Sequence, residues 1–440
     1  MAAFVSWRGL CATLSLASLA VAAPAPASAL TLEDALQQAF SDNPDLEQAR
    51  LGVTAANEDR SQAFAAYAPT FDIGGSYGTR NLETFQPNGL FGPVHTENKL
   101  APSTASARVQ EELFTGGRRR GHVELARAGV SGARATLRST EQDVLLSAVQ
   151  AYLSVWRDQQ IVDLNAGYVT SLEREVAGTQ RRLEVGEVTR TDLSQAQARL
   201  AGARASLASS RSALEGSRAQ FIQIIGVQPD DLAPPPSEPT TPDSLDAALL
   251  EASNHPRLQA ARQNENAAAA RIRIERSARL PQLSFVARAD RNEDINVMRD
   301  YQDSSSASLQ FSMPLYDGGY AWSRTHQAEI GLDSARAASE ARRRQTEAEV
   351  VTRWNAQLAA REVLTAAREQ VASAEAAFQG AQREQGLGLR TTIEVLNAEQ
   401  EWRQAQIDLA RAEANEQISA YQLLSASGTL SLDYLESNAR

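Results

Sequence analysis

Hydrophobic positions in two long stretches of the chain recur at every seventh residue. Val123, Val130, Leu137, Val144 and Ala151 step by seven, and so do Leu193, Leu200, Leu207, Leu214 and Phe221. Apolar residues at that spacing form one seam along a helix and predict coiled-coil packing. Val395, Trp402, Leu409 and Leu423 repeat the pattern near the C-terminus, with Glu416 interrupting it. Elsewhere the period falls to two. Phe71, Ile73 and Tyr77 alternate with Asp72, Gly74 and Ser76, and Ala105, Ala107, Val109 and Leu113 alternate with Ser106, Arg108, Gln110 and Glu112. Further on, Leu283, Phe285, Ala287 and Ala289 alternate with Ser284, Val286, Arg288 and Asp290, and Ala307, Leu309, Phe311 and Met313 with Ser308, Gln310 and Ser312. Each run is about ten residues long, the length of a transmembrane β-strand.

Proline confines the helices. After the first 29 residues every proline falls between Pro44 and Pro102 or between Pro229 and Pro314, which leaves 103–228 and 315–440 free of the strongest helix breaker. Both stretches are rich in Ala, Gln, Glu, Arg and Leu, which favour helix. The chain also aligns with itself. Asn43-Pro44 matches His255-Pro256 and Ala68-Pro69 matches Leu280-Pro281, both displaced by 212 residues. Leu113-Phe114-Thr115-Gly116-Gly117 matches Leu315-Tyr316-Asp317-Gly318-Gly319 at 202, as Gly186 matches Gly388. The change of displacement places extra residues in a loop around Pro87, Gly92 and Pro93. Such repetition signals one structural unit used twice. Gly117 to Gly186 and Gly319 to Gly388 are both 69 residues, and a continuous helix of that length reaches on the order of 100 Å. No compact domain holds such an arm.

The expected organisation follows. A first repeat, 30–228, comprises a helix, a β-hairpin at about 70–114, a long helix 118–185 and a return helix 190–225. A linker at 229–242 holds six prolines. The second repeat, 243–440, comprises a helix, a hairpin at about 282–313, a long helix 320–385 and a return helix 391–425. Residues 1–29 read as a secretory signal peptide: Arg8, an apolar run through Val21, then Ala27-Ser28-Ala29 as a small-x-small cleavage site. The one cysteine, Cys11, lies inside it, so the mature chain is expected to have no disulfide, thiolate metal site or cysteine nucleophile. Among 440 residues 43 are basic and 54 acidic, a balance that argues against binding nucleic acid backbones. The acidic excess is expected to line, in part, any wet interior.

Four strands with one apolar face cannot close a barrel alone, because the smallest closed barrels have about eight strands and lipid tolerates no open edge. Several chains are therefore expected to share one, as eight strands in a dimer or twelve in a trimer.

With these motifs in order, the chain resembles the TolC family of outer-membrane efflux and secretion ducts. The matching residues are Thr31-Leu32-Glu33-Asp34-Ala35 leading to Asn43-Pro44, the strand entries Ala68-Pro69 and Leu280-Pro281, the two Gly-Gly motifs, Val185-Gly186 with Thr191-Asp192-Leu193, and Leu387-Gly388 with Ile393-Glu394-Val395. The resemblance implies a mainly α fold with a β-barrel part: a homotrimer sharing a twelve-stranded outer-membrane barrel that continues into a periplasmic α-helical barrel. It places tip turns at Gly186 and Gly388 and barrel-to-helix junctions at Gly116, Gly117, Gly318 and Gly319. It implies a periplasmic gate in which Arg390 links to Asp192 of a neighbouring chain beside Thr191, with Glu394 in an acidic ring. Two gate positions depart from the family pattern: Asn397 replaces a second acid, and Gln385 a frequent tyrosine.

The implied partners are a periplasmic adaptor protein, an inner-membrane ABC or proton-driven exporter, and outer-membrane lipids. The implied role is a passive exit duct for type I protein secretion, multidrug efflux or both. The rival reading is a periplasmic coiled-coil adaptor bridging a pump and a channel. His95, His122, His255 and His326 lack ligand spacing, and no nucleophile elbow, phosphate loop or carboxylate pair is present, so neither enzyme nor cofactor is expected. Arg118-Arg119-Arg120, at the head of the first long helix, is a candidate contact to inner-leaflet headgroups.

Overall fold

Helix starts are set by short polar residues. Thr31 caps α1 (Leu32–Asp42) by accepting from the Asp34 amide at 3.1 Å, and Asn43 caps α2 (Pro44–Ala65), whose first residue is the proline that tolerates this position. The computed structural model describes residues 29–89, 92–236, 239–296, 299–432 and 434, so the expected signal peptide lies outside the described residues except for Ala29. After α2 come four strands, β1 (Thr70–Tyr77), β2 (Arg80–Gly89), β3 (Gly92–Leu100) and β4 (Ser103–Phe114), then α3 (Arg118–Glu184) and α4 (Arg190–Ile225). The second half runs α5 (Leu245–Ala252), α6 (Pro256–Ser277), β5 (Gln282–Asn296), β6 (Arg299–Ser312), α7 (Tyr320–Gly386) and α8 (Thr392–Ser427). Three of the four helix pairs match in length: α2 and α6 have 22 residues, α3 and α7 have 67, and α4 and α8 have 36, while α1 has 11 and α5 has 8.

The fold is therefore mainly helical with a strand layer at one end. One four-stranded antiparallel sheet has the order β1-β4-β5-β6, and β4 and β5 join the two repeats with Val109 opposite Ala287. One correction to the sequence reading arises here. The stretch around Pro87, Gly92 and Pro93 is not a loop but a second hairpin, with β2 paired to β3 from Arg80↔Leu100 to Gln86↔Val94. Its prolines are tolerated because the ladder shifts register between Gln86 and Gly89, where a missing N–H costs no pairing.

One face of the main sheet is apolar and open. Phe71, Val109, Ala287 and Ala307 share a row across the four strands, and Ile73 and Phe311 on the same face are 78% and 69% exposed. Among the described residues no helix is long and apolar enough to cross a membrane.

The main core lies midway along the helices, where Leu32, Leu36 and Leu46 pack on Leu145, Val149 and Tyr152 of α3 and on Phe221 and Ile225 of α4. Tyr152 Oη lies 2.9 Å from the Leu30 carbonyl and 2.6 Å from that of Ala233, which ties the segment before α1 and the linker to the same helix. A smaller cluster joins α5 to Val350, Leu423 and Ala426. Two matched clamps hold the upper helices to the return helices. Asn43 accepts from the Asp45 amide at 2.9 Å and donates to the Ile224 carbonyl at 3.2 Å. His255 does the same with its two ring nitrogens: Nδ1 accepts from the Arg257 amide at 3.1 Å, and Nε2 faces the Ser425 carbonyl at 3.2 Å.

The histidine clamp requires a neutral ring, because Nδ1 must accept. Burial first, and then the Arg257 charge, hold its pKa below 6.5 against the opposing pull of the Ser425 carbonyl, Glu349 and Asp143. The unfolded chain therefore binds a proton that the folded chain refuses. Stability is fully present above pH 6.5 and falls as the pH drops below it, by at most about 1.4 kcal/mol per pH unit for one proton. In thermal denaturation between pH 7.5 and 5, His255→Asn, which copies the first clamp, is expected to remove this part of the acid sensitivity.

Candidate functional site

The two helical tips are built from the same two devices. At the end of α3, Gly186 adopts φ +83°, its amide donates to Leu183 O at 3.0 Å, and the Glu187 amide reaches back to Arg182 O at 2.9 Å. At the end of α7, Gly388 adopts φ +75° and the Leu389 amide reaches Glu384 O at 2.9 Å. This is the glycine-terminated end in which left-handed backbone lets orphan carbonyls be satisfied. The return helices then start on carboxylate boxes. Asp192 accepts from the Thr189 amide and hydroxyl, both at 2.8 Å, and Glu394 accepts from the Thr391 amide and hydroxyl, both at 2.9 Å. These hydrogen bonds, and secondarily the charges of Arg182 and Arg390 respectively, hold both carboxyls below their usual pKa. Asp192 and Glu394 thus hold the same position in the two repeats, each serving first as a helix cap.

The other expected gate residues divide between the turns and the space between the two helix pairs. Thr191 is exposed one residue before Asp192 and takes no part in the cap, which belongs to Thr189. Arg390 is half exposed, 2.5 Å from Glu384 and 3.9 Å from Glu394 of its own chain. Within the protomer, among the described residues, Arg390 and Asp192 form no ion pair. Gln385 donates to Thr392 Oγ1 at 3.1 Å and closes the α7–α8 turn. Asn397 accepts from Arg199 of α4, which also donates to Gln400. Beside them the buried Glu399 accepts from Ser171 of α3 at 2.7 Å. Ser171, Arg199, Glu399 and Gln400 are contacts that sequence reading missed. No spacing rule pairs residues on helices so far apart in the chain. Also missed were the exposed apolar side chains of the turns, Val185, Leu387 and Leu389, each more than 70% exposed.

At the other end, Gly116, Gly117, Gly318 and Gly319 all have φ between 61° and 90° and turn the strands into the long helices. Arg118 donates to both Glu112 oxygens at 2.8 and 2.9 Å. Arg119 lies over the Tyr67 ring at 4.5 Å and donates to the Ala66 and Leu113 carbonyls, and Arg120 pairs with Glu124 at 3.1 Å. The arginine run thus stitches sheet, α2 and α3 together.

Two 67-residue helices with return helices, hung beneath a sheet with one apolar face, define an outer-membrane channel subunit of the duct type. The chain belongs to the outer membrane efflux protein family, whose sequence profile matches residues 35–227 and 249–429. It is 30% identical over 408 residues to the outer membrane efflux protein BepC of Brucella suis, covering 92% of this chain and 87% of BepC. It is 26% identical over 411 residues to the outer membrane protein TolC of Escherichia coli, covering 90% and 81% of the two chains. The crystal structure of the Campylobacter jejuni CmeC outer membrane channel superposes with a TM-score of 0.79 at 15% identity, over 93% of this chain and 89% of that one. The protein is accordingly an outer-membrane export channel reaching into the periplasm, and the adaptor reading is set aside.

The junction glycines differ in their surroundings although their backbones match. A Cβ on Gly116 would stand 2.6 Å from Leu280 Cβ and 3.0 Å from the Ser277 carbonyl, whereas one on Gly318 would meet nothing within 4 Å. Left-handed backbone alone costs a side-chain-bearing residue about 1–2 kcal/mol. Gly116→Ala is expected to lower the melting temperature in detergent clearly more than Gly318→Ala, because it adds displacement of Leu280 to that strain.

Proposed function

We propose that three copies of the chain form one duct, a twelve-stranded barrel in the outer membrane continuous with an α-helical barrel in the periplasm. The observation that carries this is the four-stranded sheet whose edges, β1 and β6, have no partner among the described residues of the protomer while one face is apolar. Unpaired backbone groups in lipid cost several kcal/mol each, so the edges must pair between copies. Eight strands leave an interior that side chains fill, and twelve leave a passage.

The duct is a passive exit for a tripartite system in which an inner-membrane exporter, ABC-type or proton-driven, and a periplasmic adaptor open the tip for secreted proteins, small toxic molecules or both. The exposed Val185, Leu387 and Leu389 suit that docking, since apolar side chains at the end of a polar arm gain by being covered. The tip is held shut in part by Arg390 of one copy and Asp192 of the next. Ion pairs with Glu384 and, at 3.9 Å, with Glu394 still leave the exposed guanidinium with donors to spare, and the second lone pairs of the capped Asp192 carboxylate remain available. A single exposed pair is worth only about 0–1 kcal/mol, but three act together about the axis.

In planar bilayers the trimer is expected to conduct with low open probability. Arg390→Ala and Asp192→Asn should each raise that conductance several-fold. The asparagine keeps the oxygen that caps α4 and removes only the charge, so fraying of the helix is separated from loss of the lock. Unchanged conductance in both variants removes the lock, and absence of any trimer removes the duct.

A further inference from the structure

Where α4 and α8 run side by side on α3 they scarcely touch, and a trench of about 720 Å³ lies between them. The reason is local. α4 presents Gly202, Ala203, Ser206, Ser210 and Ala213 to the gap, side chains too short to reach α8. The walls carry Arg157, Arg199, Arg403 and Arg411. Among the described lining residues Asp158 is the sole carboxylate, and Arg157 Nε engages it at 2.8 Å. Arg411 pairs with Asp408 at 3.3 Å. The other two guanidinium groups have neutral partners: Arg199 donates to the amides of Asn397 and Gln400. Arg403 stacks over Trp402 at 4.4 Å and donates to Gln406 at 3.1 Å, leaving a buried Nε with no acceptor. The nearby Glu399 is turned to Ser171. In a chain with a formal charge of −11, this trench is locally cationic.

Its direction follows from helix geometry. Tyr152 of α3 faces the layer made by α1 and the linker. Ile161 and Tyr168, which floor the trench, lie nine and sixteen residues further along, rotated by roughly 160–180° at about 100° per residue. That layer, repeated in every copy, would plug a duct if it lay inside, so it lies outside and the trench opens on the lumen. This step rests on the duct reading. We propose that the trench is an anion-binding zone of the inner wall, which draws carboxylate-, phosphate- or sulfonate-bearing solutes out of the passage toward Arg199 and Arg403.

A single thiol tests it. Ser206→Cys, made in a Cys11→Ser background, places the only cysteine of the chain in the trench. The purified trimer is treated with methanethiosulfonates bearing either a sulfonate or a trimethylammonium group, each rate being divided by that of the same reagent with free cysteine. A local potential of about 1 kT separates the two reagents by roughly seven-fold, and the sulfonate is expected to react faster by at least that factor at low salt. The ratio should fall toward one at 1 M salt and in the Arg199→Gln/Arg403→Gln double variant, while Arg199→Lys/Arg403→Lys keeps it. A ratio of one or less, a ratio the glutamines leave unchanged, or a thiol that neither reagent reaches because a neighbouring copy covers it, overturns the proposal. Bilayer conductance of the same preparation reports separately on the duct: its absence removes that reading, whereas a conducting trimer without charge preference removes only the anion zone.

Discussion

The backbone of a strand in lipid has to find hydrogen-bond partners in protein, and most of this architecture follows from that constraint. Among the described residues the four-stranded sheet leaves the outer edges of β1 and β6 bare, so in lipid it needs partners from other copies. The long helices inherit the consequence. In the proposed duct α3 and α7 run around a common axis without packing on each other, α6 and α8 each packing on both of them. Each long helix packs along a return helix of the same chain, α3 on α4 and α7 on α8, and the heptad seam of α4 from Leu207 to Phe221 lies in the shared core. Small residues and arginine-to-carboxylate stitches such as Arg324 to Glu275 at 2.7 Å, rather than a thick apolar core, then hold neighbouring helices at the junction.

Duplication gives the chain near-equal halves, and the differences between halves show where each position is constrained. Asn43 and His255 meet the same demand, an acceptor for an amide two residues on and a donor to the end of the return helix, with different chemistry. The amide holds its donor and acceptor at every pH, whereas the imidazole holds them only when neutral. Gly116 and Gly318 share a backbone angle, yet only Gly116 is wedged against Leu280. Gly121 adds a second close approach, a Cβ there standing 2.7 Å from Ile274, so α6 lies tight on α3 in one half.

Much of the fold was legible because its signals are periodic. Heptads at Leu193 to Phe221, the proline-free stretches and the repeated Gly-Gly motifs each follow from local rules that tertiary packing did not override. The hairpin at β2 and β3 was hidden by Pro87 and Pro93, which read as loop but sit where the ladder shifts. At the tips the turn glycines were visible, while the boxes Thr189–Asp192 and Thr391–Glu394 went unread despite a plain Thr-x-x-acid spacing. The contacts of Ser171 with Glu399 and of Arg199 with Asn397 span more than 190 residues, and nothing in either segment alone announces the other.

The capping boxes also bear on how such a tip can move. The amides of Gly186, Glu187, Gly388 and Leu389 are bonded within their own hairpins, and Asp192 and Glu394 are bound to threonines of their own helix starts. A hairpin can therefore swing as a unit without breaking its turn. Resistance to that swing within the protomer must come from contacts between hairpins. Near the tip these combine polar bonds, Ser171 to Glu399 and Arg199 to Asn397 and Gln400, with one apolar anchor, Leu396 of α8, buried in the same cluster as Val169 and Leu172 of α3. Polar contacts of this kind can be exchanged for water at a net cost of about 1 kcal/mol each. An apolar seam of equal area would resist far more. The tip is thus built from rigid pieces joined largely by exchangeable bonds, the combination that the proposed gate, opened by a docking partner, requires.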